Sequence, residues 1–173
     1  MSTARSLLEE FETQAPITRK FLERLPEDKL TWKPHEKSMS AGQLAYHLAF
    51  VPGGAVRFVE NNPVQAPKFA DFPQPASRQE ILRTLDESIA TVRTVMARFD
   101  EKAMGETWRM FADGKEVLAQ PRAQFLRDIM LNHWYQHRGQ FSVYLRMLGV
   151  AVPASWGPSA DEFPAFVQTA KSA

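Results

Sequence analysis

Cysteine is absent from the 173 residues, which excludes disulfides, thiolate catalysis and thiolate-ligated zinc or iron–sulfur centres together. Any metal must be held by histidine and carboxylate, and there are only four histidines. An excess of one charge is lacking too. Lys plus Arg is 21 against 20 for Asp plus Glu, a formal charge of +1, and no block of one sign occurs, so a nucleic-acid partner recruited by bulk charge is not expected. No stretch approaches about 18 uncharged apolar residues, so no membrane partner or spanning helix is expected. The opening MSTARSLLEEFETQ has neither the apolar core nor the small-residue cleavage site of a signal peptide. A cytoplasmic protein made of one domain, residues 1–173, is the expectation. There is no internal repeat and no low-complexity segment.

Apolar residues at helical spacing supply the architecture. Leu7, Leu8, Phe11, Ala15, Thr18, Phe21, Leu22 and Leu25 mark a first helix over about residues 2 to 25. Pro16 inside it removes one donor and crowds the Glu12 carbonyl, so a bend, or a restart with Thr13 near the cap, is expected. Ser40 followed by Gln43 is a capping box for a second helix. Its apolar side is Leu44, His47, Phe50, Val51 and Phe58, with a break or strong kink expected at Pro52, Gly53 and Gly54.

Residues 61–76 hold four prolines and no periodicity, and are expected to be irregular. Ser77 with Glu80 is a second capping box, opening a third helix with the stripe Ile81, Leu82, Leu85, Ile89, Val92, Val95, Met96 and Phe99. TWRMF and KEVL flank Ala112, Asp113 and Gly114 and predict a short hairpin. A fourth helix is expected from near Pro121 to Leu148, stopped by Gly149. The predicted fold is all-α: a four-helix bundle with a long crossover between helices 2 and 3 and a short β-hairpin between helices 3 and 4. The tail VPASWGPSADEFPAF is expected to pack over it.

The chemistry lies in the fourth helix, where His133 and His137 are one turn apart. Taking roughly 100° per residue from His133, Leu126 falls at about +20°, Ile129 at −40°, His137 at +40°, Gln140 at −20°, Tyr144 at +20° and Met147 at −40°. Both imidazoles then sit in the middle of the stripe that should face the core. One explanation is a pair of core histidines bonded to carbonyls or Tyr hydroxyls. The other is a divalent metal, which takes one nitrogen from each ring and leaves the second nitrogen to an outer acceptor. His47, centred on the apolar face of the second helix, is the candidate third ligand. Three histidines would leave open positions for water or substrate, and imidazole suits Zn, Ni, Fe and Mn. His35, in the polar loop before the second helix, is read as surface.

The segments HWYQHRGQFSVYLRMLGV, WKPHEKSMSAGQLAYHLAF and PSADEF resemble the DinB/YfiT-like family of metal-binding four-helix bundles, over nearly the whole chain. The most specific part is His133, then His137-Arg138-Gly139-Gln140, with His47 in the helix after a Ser-Met-Ser loop. The resemblance implies that His47, His133 and His137 bind a divalent metal, zinc or nickel foremost, and that the protein is a homodimer. It also implies that a low-molecular-weight thiol can serve as cosubstrate, as in some relatives that are transferases or isomerases. Many relatives carry a further His immediately before the second ligand, where this chain has Gln136.

Arg138 and Gly139 fall at about +140° and −120°, away from the proposed metal face. Arg138 is expected to be an ion-pair or interface residue, and Gly139 to permit close helix approach. Gln140 is a candidate for support of the metal site or substrate contact, or else for core hydrogen bonding. Tyr144 and Gln43 are candidates to line a pocket, or else a buried tyrosine and a helix cap. Trp32, Trp108, Trp134 and Trp156 are read as packing residues. The function expected first is a metal-dependent enzyme using a small thiol with a small-molecule substrate. Metal-assisted hydrolysis and a non-catalytic, stress-associated metal-binding protein are the alternatives. No general base is identifiable.

Overall fold

The structure, a computed structural model, describes residues 2–67 and 72–164. Helix α1, Thr3–Glu23, starts where the Ser2 side chain accepts from the Arg5 backbone N–H. It buries Leu7, Phe11, Ala15, Thr18, Phe21 and Leu22, and runs through Pro16 without a restart. Pro16 is exposed, so water can replace the bond its ring removes.

Helix α2, Ala41–Phe58, begins with the reciprocal Ser40–Gln43 capping box and also passes unbroken through Pro52, Gly53 and Gly54. Here the displaced backbone groups are buried and repaired by neighbours. The Leu48 carbonyl, which would have accepted from residue 52, accepts from the Trp134 indole at 2.8 Å. The Gly53 N–H donates to Ser88 Oγ at 2.7 Å. Neither the restart at Pro16 nor the break after Val51 occurs: each helix continues past its proline, the first at a site open to solvent and the second with tertiary partners for its freed groups.

Within the connection expected to be irregular, Val64–Gln65 form a short strand, β1. It pairs in parallel with β2, Thr107–Ala112, which pairs antiparallel with β3, Lys115–Pro121. Asp113 and Gly114 both have positive φ, 48° and 76°, as a two-residue hairpin turn of type I′ requires. Helix α3, Arg78–Met96, is capped by Ser77. The reciprocal half of its predicted box is displaced by one residue, since the Glu80 carboxylate accepts from the Ala76 N–H. A short helix, α4, Glu101–Gly105, follows, capped by Asp100, and was not anticipated.

The last long helix has three parts: α5, Arg122–Phe125; a π-helical stretch, Leu126–Asn132; and α6, His133–Met147. Gly149, φ 72°, stops it. α1 and α2 each pack on α3 and on the last helix, closing a helical bundle. Residues 150–164 fold back on it, held by the ion pairs Arg24–Glu162 and Arg146–Asp161. The remainder of the tail lies outside the described residues.

Candidate metal centre

The π-helical stretch ends immediately before His133 and changes the phase of the helix there. Along α6 the fully buried row is Trp134, Arg138, Phe141 and Leu145. That row stands about +80° to +140° from His133, so the core face is turned away from the one expected. His133 and His137 lie on its flank: His137 is just buried, at 9% exposure, and His133 is half-buried. Met147, assigned to the same stripe, is 56% exposed. A charged residue in the core row and apolar Val143 and Met147 outside it obscured the true face.

The core face being there explains Arg138. It is 2% exposed and pairs with no carboxylate among the described residues, contrary to the ion-pair expectation. Instead Nη2 donates to Gln14 Oε1 at 2.8 Å and Nη1 to Thr18 Oγ1 at 3.2 Å, with the guanidinium 5.3 Å from the Tyr135 ring centre. Gly139 serves no close helix approach either, since a Cβ there would meet nothing within 4 Å.

The placement of α2 across α6 brings His47 to the other two histidines. His133 Nε2 lies 3.1 Å from His47 Nε2 and 3.0 Å from His137 Nε2. The three rings stand nearly perpendicular to one another, with interplanar angles of 78°, 89° and 87°. One Nε2 proton on His133 cannot satisfy two acceptors lying in different directions, so a hydrogen-bonded trio is a poor account of this convergence. A divalent ion is a better one, because metal–nitrogen bonds of about 2.0–2.1 Å place ligand nitrogens roughly 3 Å apart.

The electrostatics agree with ligation. Burial, followed by the nearby His137 and His133, pushes His47 down to about 4. Burial likewise holds His133 and His137 below the usual histidine range. The imidazoles are therefore neutral at pH 7, with lone pairs free for a cation. His137 Nδ1 lies 2.7 Å from Gln140 Oε1. An amide oxygen only accepts, so this contact puts the proton on Nδ1 and leaves Nε2 bare toward the other rings.

The remaining sequence candidates have less direct places. Gln43 is committed to the helix cap and donates from Nε2 to the Phe72 carbonyl at 2.8 Å. The Phe72 ring stands edge-on to His47 at 4.8 Å, so Gln43 reaches the site through Phe72, a contact the sequence did not reveal. Tyr144 donates to the Met39 carbonyl and packs edge-on against Trp32, tying down the loop before α2. His35 is exposed and accepts from the Lys37 N–H. Trp108 and Trp134 are buried, whereas Trp156 is 61% exposed beside Tyr135.

The fold and site define a helical bundle with three histidines that could hold a metal ion. The sequence profile of the DinB family matches residues 1–164, and the chain belongs to that family. The YrdA protein of Bacillus subtilis (strain 168) is 27% identical over 168 residues, covering 95% of this chain and 94% of YrdA. Among solved structures, a DinB-like protein from Bacillus cereus ATCC 10987 has a TM-score of 0.69 at 22% identity, covering 87% of this chain and 95% of that one. The DinB-like protein YjoA from B. subtilis has a TM-score of 0.65 at 16% identity, covering 86% and 96%. These two likenesses establish the shared fold.

Proposed function

We propose that His47, His133 and His137 hold a divalent metal ion, zinc or nickel foremost and iron or manganese next, at the centre of a metal-dependent enzyme acting on a small molecule. The observation that carries this reading is the convergence of three neutral Nε2 atoms, two of them 3.0 and 3.1 Å from the third. A bound ion would supply Lewis acidity to an oxygen or sulfur donor. Gln140 fixes the His137 tautomer, and Phe72 walls the His47 side.

Three neutral ligands leave the charge of the ion uncompensated, which favours an anionic substrate or a thiolate. The chain has no cysteine, so a thiol would come from a cosubstrate. Thiol transfer is therefore the reaction we place first, with metal-assisted hydrolysis second. The absence of Asp and Glu from the histidine cluster, among the described residues, favours one further reading, a metal-binding protein without turnover. We extend the proposal to a homodimer, with the half-exposed Val143 and Met147 of α6 available for contact.

Metal analysis of the wild type and of His47→Ala and His137→Ala tests the site. The expected result is about one equivalent of metal in the wild type and a large loss in both variants; undiminished metal would refute the assignment. Assays with small thiols and with ester or amide substrates, before and after chelation, separate transferase, hydrolase and non-catalytic readings. Light scattering checks the dimer.

A further inference from the structure

A proline in the middle of a buried helix usually weakens it, because it removes a donor and leaves the carbonyl four residues earlier without a partner. In α2 that carbonyl belongs to Leu48, the neighbour of His47. Its partner is the indole of Trp134, the neighbour of His133, at 2.8 Å and fully buried. One hydrogen bond thus joins the helices that carry the histidines, one residue along from a histidine on each side. The next residue completes the clamp, as the Gly53 N–H donates to Ser88 Oγ of α3 at 2.7 Å.

We infer that Pro52 is a positioning residue for the three-histidine centre: by withholding its N–H it frees the Leu48 carbonyl for Trp134, and this bond sets the separation of His47 from His133. An ordinary residue at position 52 would return the Leu48 carbonyl to the α2 ladder. The carbonyl, with two lone pairs, would then be shared between the local donor and the indole, which weakens the link to α6 and lets the helices shift relative to each other. Metal affinity is sensitive to such shifts because ligand nitrogens must meet the ion within a few tenths of an ångström. The aromatic contact of Trp134 with Phe11, 5.2 Å between ring centres, holds the indole in place from the α1 side.

The inference rests on the metal reading above, and the test separates the two. Zinc affinity by chelator competition, and the visible spectrum of the Co²⁺-loaded protein, are measured for the wild type, Pro52→Ala, Trp134→Phe, the double variant and Leu85→Ala. Leu85 is fully buried in α3, which carries none of the histidines, so its variant controls for lost stability alone. Trp134→Phe is expected to weaken zinc binding about tenfold or more and to alter the Co²⁺ spectrum, as loss of support around metal ligands commonly does. Pro52→Ala should act in the same direction by less, the double variant should match Trp134→Phe, and Leu85→Ala should bind as the wild type does. Wild-type affinity and spectrum in Pro52→Ala, or in Trp134→Phe, would overturn the positioning role, as would an equal change in Leu85→Ala. A wild type that takes up no zinc, nickel or cobalt would overturn the metal reading and this inference with it.

Discussion

Arg138 is a buried cation without a carboxylate partner among the described residues, and Arg138→Met measures what it contributes. Methionine keeps most of the apolar stem while removing the charge and the bonds to Gln14 and Thr18. Hydrogen bonds to a charged group contribute about 1.5–3 kcal/mol each. Against them stands the desolvation of the guanidinium, which burial draws down to about 10 and which removal of the charge relieves. The orphaned acceptors decide the balance. The Thr18 hydroxyl can turn back to the Gln14 carbonyl, one helical turn earlier, and satisfy both groups. Gln14 Oε1 has no such recourse, since Gln14 is 3% exposed. A buried unsatisfied acceptor costs about 1–3 kcal/mol, so with the residual packing change we expect Arg138→Met to destabilise by roughly 2–3 kcal/mol. In a chain of this size that lowers Tm by about 4–12 °C.

The second substitution tests the cause. Adding Gln14→Leu removes the orphan, and the double variant should recover to within about 1 kcal/mol of wild type. Urea denaturation followed by far-ultraviolet circular dichroism gives all three free energies. Metal uptake should stay unchanged, because the guanidinium faces α1 while the histidines meet α2. A single variant within about 0.5 kcal/mol of wild type, or a double variant as unstable as the single, would refute the reasoning.

Two further perturbations probe the site and its support. In the metal-free protein the three histidines resist protons that the unfolded chain accepts near 6.5, so stability is fully present above pH 6.5 and is lost as pH falls toward about 4. The His47 contribution is roughly 2 kcal/mol once its partial exposure is allowed for; a urea midpoint unchanged between pH 7.5 and 4.5, or a decline of the same size in His47→Asn, would count against it. Gly53→Ala would place a Cβ 2.8 Å from Ser88 Oγ and 2.9 Å from Ser88 Cα, so it should cost about 1–3 kcal/mol where Ala normally stabilises a helix. A stabilising outcome in the same denaturation assay would show that α2 and α3 are not held in that close contact.

The residues of the helices announced themselves by spacing and caps. Ser40 with Gln43 and the Ile81–Leu85–Val92–Met96 stripe are local signals whose meaning depends only on backbone geometry, and the structure contains the corresponding helices. Asp113-Gly114 likewise suits positive φ at both positions of a tight turn. The restart at Pro16 and the break at Pro52 do not occur, because a proline's effect depends on what replaces the lost bond. At Pro16 the site is open to water; at Pro52 the replacement comes from Trp134, 82 residues further along the chain and invisible to any local window. The orphaned Leu48 carbonyl was itself a signal that a distant donor had to be sought.

For the candidate centre, the four-residue interval between His133 and His137 by itself determined that their rings share one face of a helix, because helical geometry admits no other result. Which face of that helix is the core was decided only by tertiary structure. The π-helical stretch before His133 alters the helical phase, and Gln14 and Thr18 of α1 make a charged Arg138 acceptable inside, so the histidines move to the flank. His47 was legible as a polar residue on an apolar face, but its distance from His133 depends on how α2 lies across α6, where the Leu48–Trp134 bond joins the two helices. Sequence determines faces through local periodicity; only packing determines which faces meet, because that depends on the summed contacts of residues far apart in the chain.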